Sequence, residues 1–319
     1  MEIYKTQSQI AAKHNWLLSL VLLVLITFGA LALLQGLAVL LVPYLFEIPV
    51  EELPALFMGN LDHPNGRMAI LFLQGFGGGL GFFAGGFIFV RYLDKADLGW
   101  KQQFHKSKFN LLLLIIPLLL GFMMFNVMII DWNSSIQFPS FMKAFEEFAR
   151  AKEDQLMELT RYLTDFSGMG EFLMGLLVIG ILAGIGEEYL FRGILQPKLH
   201  HYTGNAHAGI WISAIIFSAI HLQFYGFFPR LFLGALFGYL YLYSGSLVYP
   251  MLAHILNNSL TVIMIYANKL GMVEFDIENT DNFSWLSILF GLALFILCFK
   301  VFIEQTRKET YNEKMAKGI

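Results

Sequence analysis

The stretch WLLSLVLLVLITFGALALLQGLAVLLVPYLF, residues 16–46, decides which kind of fold this chain adopts. It contains no charged side chain, and it exceeds the about 20 apolar residues that a helix needs to cross a bilayer. The apolar core of a cleavable signal peptide has only about 7–15 residues. We therefore predict a retained, tilted first transmembrane helix that ends near Pro43.

The composition of the whole chain also indicates an integral membrane protein. Of its 319 residues, 57% are hydrophobic and only 14% are charged, whereas soluble domains carry about 25% charged residues. The net charge of −3 and the scattered basic residues argue against a nucleic-acid partner. A single cysteine, Cys298, excludes an intrachain disulfide and a Cys-based zinc cluster. It lies in an apolar run, where we expect a small buried hydrophobic residue.

Apolar runs separated by short connections with Pro and Gly predict an all-α, polytopic membrane helix bundle of about eight transmembrane helices. The predicted helices are 17–45, 68–92, 109–130, 170–198, 205–224, 229–244, 247–268 and 283–303. We divide the chain into three parts. These are residues 1–168 with three helices and a long outer loop, 169–268 with a core of four helices, and 269–319 with the last helix and a basic cytoplasmic tail.

Charge placement predicts the orientation of this bundle. Most of the 21 Lys and Arg residues fall on one side if the N-terminus is inside, so we expect both termini to be cytoplasmic. The outer loop, 132–169, has Phe141, Phe145 and Phe148 at helical spacing among charges. This pattern indicates an amphipathic helix on the membrane surface or capping the bundle, and a solvated linker helix is the alternative.

The glycine-rich stretch GFGGGLGFFAGG, residues 75–86, resembles a nucleotide-binding loop at first sight. It lies inside an uncharged run, and no soluble strand precedes it. Gly77, Gly81 and Gly85 share one helix face, as small residues do where membrane helices pack closely. We therefore predict helix packing here rather than phosphate binding.

The stretch GEEYLFRG, residues 186–193, places three ionisable residues directly after an uncharged run. An ionisable residue at membrane depth is unfavourable and therefore indicates a functional site. If the run ends at Gly186, these charges instead lie among the lipid headgroups. Glu188 and Arg192 are spaced i and i+4, the order that favours an ion pair. This pairing leaves Glu187 with a carboxylate that is free for chemistry.

Three more polar residues, His221, His254 and Asn258, lie in apolar runs. Glu187 and His221 are equally far in sequence from a predicted turn at Gly204, which places both about 25 Å from that turn. His254 and Asn258 are spaced i and i+4 and point the same way. His254 is nine residues past a second turn near Gly245, or about 14 Å from that turn, so the three side chains can meet if the first hairpin projects about 10 Å further.

This set of residue types has the chemistry needed to hydrolyse an amide bond. A carboxylate withdrawn from water can act as general base on a water molecule that a histidine holds. A second histidine and an amide can donate hydrogen bonds to an oxyanion. In the alternative chemistry, Glu187, His221 and His254 bind zinc with one open position. The chain has no H-E-x-x-H motif, so it lacks the zinc helix of soluble metalloproteases.

Three motifs in this order resemble those of the CPBP intramembrane proteases. The motifs are E-E-x-x-x-R at 187–192, F-x-x-x-H at 217–221 and H-x-x-x-N at 254–258. That family includes the type II CAAX prenyl endopeptidases and bacteriocin-processing and immunity proteins. The resemblance covers about residues 170–265, so 169–268 would be its protease core. It implies that Glu187 and His221 activate water, that His254 and Asn258 stabilise the oxyanion, and that Glu188, Arg192 and Phe217 support them.

These observations predict an intramembrane endopeptidase that hydrolyses a peptide bond of a membrane-associated or CAAX-like substrate. Its partners would be membrane lipid and a peptide or protein substrate, its location a prokaryotic plasma membrane, and its cofactor zinc or none. The main alternative is a non-catalytic immunity or scaffold protein with the same polar cluster. A proton-coupled transporter is a third interpretation, but the E-E-x-x-x-R region has no second copy.

Overall fold

A computed structural model describes residues 8–57, 63–275 and 284–316, except for the side chains of 308–316. Within these ranges the chain has no β-strand, and nine long helices form the fold. They are α1 (Trp16–Phe46), α2 (Gly66–Asp94), α3 (Phe109–Ser134), α4 (Lys143–Thr164), α5 (Met169–Thr203), α6 (Ala206–Ala219), α7 (Phe227–Ser244), α8 (Val248–Lys269) and α9 (Trp285–Ala316). Two short helices, Leu53–Phe57 and Trp100–His105, lie in the connections.

Eight of the nine helices correspond to the predicted transmembrane helices, and α4 is the helix predicted in the outer loop. In the described part of the chain, six helices are long and apolar enough to cross a membrane, namely α1, α2, α3, α5, α8 and α9. The prediction of a polytopic helical bundle is therefore confirmed. The last helix continues to Ala316, so most of the predicted tail is helical, and residues 317–319 lie outside the described residues.

The predicted range of α6, 205–224, is wrong at its C-terminal end. The helix ends at Ala219 after 14 residues, a length of about 21 Å, which is less than the about 30 Å hydrocarbon thickness of a bilayer. Beyond it, Leu222 adopts φ 56, in the left-handed region. A helix cannot continue through such a residue, so His221 lies in a turn rather than on a helix.

Glycines allow α2 to pack closely between α1 and α5. A Cβ atom at Gly85 would lie 2.7 Å from Thr27 Cα of α1, and one at Gly81 would lie 2.6 Å from Leu31. On another face of α2, a Cβ at Gly79 would lie 2.8 Å from Leu182 of α5. The predicted packing role of this glycine stretch is thus confirmed, and a second glycine face was not anticipated.

Helices α7 and α8 enclose α5 on its functional side. Arg192 Nη2 donates to the carbonyl of Gly234 at 2.9 Å, and Gln196 Nε2 donates to that of Gly238 at 3.1 Å. A step of four residues along α5 corresponds to a step of four residues in the same direction along α7, so the two helices run parallel. The turns at Gly204 and Gly245, both in the left-handed region with φ 70 and 64, were predicted at these two positions.

Helix α4 packs against the bundle. This matches the predicted amphipathic helix that caps the bundle, rather than a solvated linker helix. Arg67 Nε of α2 donates to the carbonyl of Tyr162 at 2.7 Å, and Ala149 and Leu163 are buried. Phe141 and Phe148 remain 84% and 67% exposed. Phe148 lies in the first half of α4 and Phe141 in the short 3-10 turn just before it, where lipid can cover both rings.

Candidate active site

The two glutamates of the E-E-x-x-x-R motif, Glu187 and Glu188, lie on α5 between two π-helical turns. These turns are Leu176–Leu182 and Phe191–Leu195. Such turns are rare and occur frequently at functional sites, because the extra residue redirects the side chains around it. The side chain of Glu188 is fully buried, whereas that of Glu187 is 15% exposed. The adjacent carboxylates therefore have different surroundings.

Glu188 forms a buried ion pair with Arg192, as the i and i+4 spacing predicts. Arg192 Nη1 donates to Glu188 Oε1 at 2.6 Å, and the arginine is only 1% exposed. The guanidinium carbon lies 4.5 Å from the centre of the Phe217 ring and 5.4 Å from that of Phe237. With the Gly234 carbonyl as a further acceptor, this buried cation has a carboxylate, a carbonyl and two aromatic faces around it.

His254 contacts both glutamates, an arrangement that the motif spacing alone does not predict. Its Nδ1 lies 2.9 Å from Glu188 Oε1, and its Nε2 lies 3.9 Å from Glu187 Oε2. The carboxylate paired with Arg192 can only accept, so Nδ1 carries the hydrogen and Nε2 faces Glu187. The imidazole ring stacks on Phe237 with a centroid distance of 5.1 Å. The orientation of His254 is therefore fixed on two sides.

His221 is held by its own chain in the turn after α6. Its Nδ1 donates to the carbonyl of Phe217 at 2.8 Å, because a carbonyl oxygen can only accept. In the neutral ring, Nε2 is then a proton acceptor. The Phe217 ring lies 5.2 Å from that of His221 and 5.9 Å from that of His254. Phe217 thus contacts both histidines.

Asn258 is anchored away from the two glutamates. Its Nδ2 donates to the carbonyl of Ile179 at 2.9 Å, and Asn257 donates to its Oδ1 at 3.1 Å. Ile179 precedes Glu187 by two helical turns, a distance of about 12 Å along α5. Among the described side chains, no hydrogen bond joins Asn258 to Glu187, His221 or His254. One amide hydrogen of Asn258 is not used by these contacts.

The same residue types could in principle bind a metal ion. Zinc needs three protein ligands converging within about 2.0–2.3 Å of one point. Among the described residues, no three His, Cys, Asp or Glu side chains form a group that could hold a metal ion. Glu187, His221 and His254 as arranged here do not fit a preformed zinc centre.

Two polar residues beside this cluster were missed. Arg230, in the first turn of α7, donates from Nη2 to Oε1 of Gln223 at 2.7 Å, and it interacts electrostatically with Glu187. An arginine in an apolar segment was itself a signal for a functional site, but it carries no motif. Gln223 gave no signal, because only the turn after α6 brings it to the site.

Comparisons with known proteins agree with the motif analysis over one part of the chain. Residues 169–260 match the family model described as type II CAAX prenyl endopeptidase Rce1-like, which confirms the resemblance over that range. The uncharacterized protein YpbD of Bacillus subtilis (strain 168) is 31% identical over 83 residues, which are 25% of this chain and 39% of YpbD. The chain thus matches about two fifths of that relative. The search of solved structures found no match.

Proposed function

We propose that this protein is an integral membrane endopeptidase that hydrolyses a peptide bond of a membrane-associated or CAAX-like substrate. The observation that carries this proposal is the contact of His254 with both Glu187 and Glu188, inside the segment that matches the endopeptidase model. Glu188 is neutralised by Arg192. Of the two glutamates, Glu188 is therefore the structural carboxylate and Glu187 the reactive one.

In the proposed mechanism, Glu187 is the general base. Its carboxylate takes a proton from a water molecule, and His221 Nε2 accepts a second hydrogen bond from that water and orients it. The oxygen attacks the scissile carbonyl, whose electron pair moves onto the carbonyl oxygen. His254, in its protonated form, donates to that oxyanion. Asn258, one turn further along α8, becomes the second donor when its side chain turns from the carbonyl of Ile179 towards the site. When the C–N bond breaks, the proton held by Glu187 passes to the leaving nitrogen.

One observation favours the non-catalytic alternative: the polar groups of the cluster already form hydrogen bonds and ion pairs with one another. Glu188, Arg192 and His254 are held by short contacts and full burial, as a structural network would be. Glu187 is different, because its distance of 3.9 Å from His254 is too long for a hydrogen bond. A scaffold therefore needs Glu188 but has little need for Glu187.

Replacement of Glu187 by Gln separates the two functions. The change keeps side-chain volume and polarity, so the protein should fold with nearly unchanged stability. General-base assistance contributes about 10²–10⁴-fold in rate, so kcat should fall at least about a hundredfold with little change in substrate binding. The measurement is cleavage of fluorogenic peptides by purified protein in lipid nanodiscs, with thermal unfolding of both proteins as the folding control. A variant that cleaves at the parental rate would leave the scaffold function standing.

Replacement of Asn258 by Ala tests the oxyanion assignment. Loss of one oxyanion donor lowers kcat by about 10²–10³-fold. Because Asn258 also ties α8 to the carbonyl of Ile179, Asn257→Ala serves as the matched control for local packing. If both variants lose activity to the same degree, Asn258 acts through the packing of α8 rather than on the oxyanion.

A further inference from the structure

Arg230 is a cation beside the candidate active site that the proposed mechanism does not use. Its Nη2 is occupied by Gln223, but its Nη1 is buried and has no hydrogen-bond partner among the described residues. A buried charged donor without an acceptor is unfavourable. An arginine in this state is therefore a candidate for a residue that completes its hydrogen bonds with a ligand.

The register of α5 and α7 places Arg230 level with the two glutamates. Successive turns pair Gln196 with Gly238 and Arg192 with Gly234, each 42 residues apart in sequence. One turn earlier, the same offset sets Arg230 at the level of Glu188, the residue after Glu187. The electrostatic interactions of Arg230 with Glu187 and His221 agree with this position. The guanidinium thus lies at the level of the residues that would act on the peptide bond.

Arg230 is also held in place by residues from two other parts of the chain. Gln223 accepts from Arg230 through Oε1 and donates through Nε2 to Glu153 of α4 at 3.0 Å. Burial raises the pKa of the Glu153 carboxyl, and the charge of Arg230 opposes that rise. Arg150, one turn from Glu153, lies 4.4 Å over the ring of Tyr225 and fixes α4 to the same turn.

We propose that Arg230 binds a carboxylate of the peptide substrate through its free Nη1; this inference rests on the proposed peptidase function. The planar guanidinium fork matches a carboxylate in geometry and charge. The site otherwise repels an anionic substrate, because Glu187 lies at the same level. A second cation is needed there, since Arg192 already neutralises Glu188. The carboxylate is either the C-terminus of the peptide or an acidic side chain near the cleaved bond.

Matched peptides distinguish these two sources. The first peptide has a free C-terminal acid, the second is its C-terminal amide, and the third is the amide with Glu in place of Gln on the C-terminal side of the cleaved bond. Hydrogen bonds to charged groups correspond to about a ten- to hundredfold effect. We therefore expect wild-type protein to prefer one carboxylate peptide over the neutral amide by that factor in kcat/KM. Preference for the first peptide assigns the C-terminus, and preference for the third assigns the side chain.

Arg230→Gln should abolish this preference and cleave all three peptides with similar kcat/KM. Arg91→Gln is the matched control, because Arg91 is an exposed arginine at the end of α2, and it should keep the preference. Equal cleavage of the three peptides by wild-type protein, or a preference that survives in Arg230→Gln, would overturn the proposal. If Arg230→Gln does not fold, the comparison of the three peptides on wild-type protein decides whether the site prefers a carboxylate.

Binding supplies a readout that does not depend on turnover. Fluorescence anisotropy of the same labelled peptides on Glu187→Gln protein should show about ten- to hundredfold tighter binding of the preferred carboxylate peptide. If that difference appears and no peptide is cleaved by wild-type protein, the peptidase function fails while the carboxylate site stands. If cleavage occurs and neither binding nor cleavage depends on a carboxylate, only the role of Arg230 fails.

Discussion

Replacement of Arg192 by Met tests the electrostatic basis of the cluster. The change removes the guanidinium from a fully buried pair at 2.6 Å and leaves the Glu188 carboxylate with His254 as its remaining polar contact. It also removes the donor to the carbonyl of Gly234. Breaking a buried ion pair by removing one partner lowers the free energy of unfolding by about 3–5 kcal/mol. We expect a loss in that range.

A second pair with the same spacing supplies the control. Lys143 and Glu147 also form an i and i+4 pair, at 3.7 Å, but their side chains are 77% and 69% exposed. Exposed pairs contribute about 0–1 kcal/mol, so Lys143→Met should have little effect. The contrast between the two variants isolates burial, because the spacing along the helix is the same.

The double variant Glu188→Gln with Arg192→Met shows whether the loss comes from an unpaired charge. Gln at position 188 has no charge and keeps an acceptor for Nδ1 of His254. The double variant should therefore be more stable than Arg192→Met alone. Equilibrium unfolding in detergent micelles measures all of these variants. A loss below about 1 kcal/mol for Arg192→Met, or effects of the two changes that simply add, would refute the reasoning.

Three further predictions concern the metal, the packing and the topology. Because the candidate ligands do not form a preformed zinc centre, activity should persist after treatment with a chelator; loss that added zinc restores would assign the metal chemistry instead. Gly85→Ala should lower the stability by about 1–3 kcal/mol because its Cβ meets the backbone of Thr27, whereas Gly78→Ala, with open space around it, should be neutral or stabilising by up to about 1 kcal/mol. In a Cys298→Ala background, a cysteine in place of Phe141, which is 84% exposed, should react with an impermeant maleimide added outside intact cells; labelling only after lysis would reverse the predicted orientation.

The sequence by itself determined the features that depend on neighbours along the chain. Uncharged runs fixed the eight membrane-helix candidates, because a backbone in hydrocarbon must satisfy its hydrogen bonds internally. Glycines able to adopt the left-handed conformation fixed the turns at 204 and 245. The 3.6-residue period fixed the pair of Glu188 with Arg192. Each of these features depends only on residues that are close together in the sequence.

Only the tertiary structure decided which distant groups meet. Lys198 lies six residues before the turn at Gly204, yet it is buried against Asp94 at 2.6 Å. His254 was expected to stabilise the oxyanion or to bind zinc, and its hydrogen bond with Glu188 was not expected. Arg230 carried no motif, and the packing of α7 along α5 brings it to the glutamates. A buried charge must find a partner because desolvation is unfavourable, but the partner's identity follows from helix register and close packing across elements far apart in the chain.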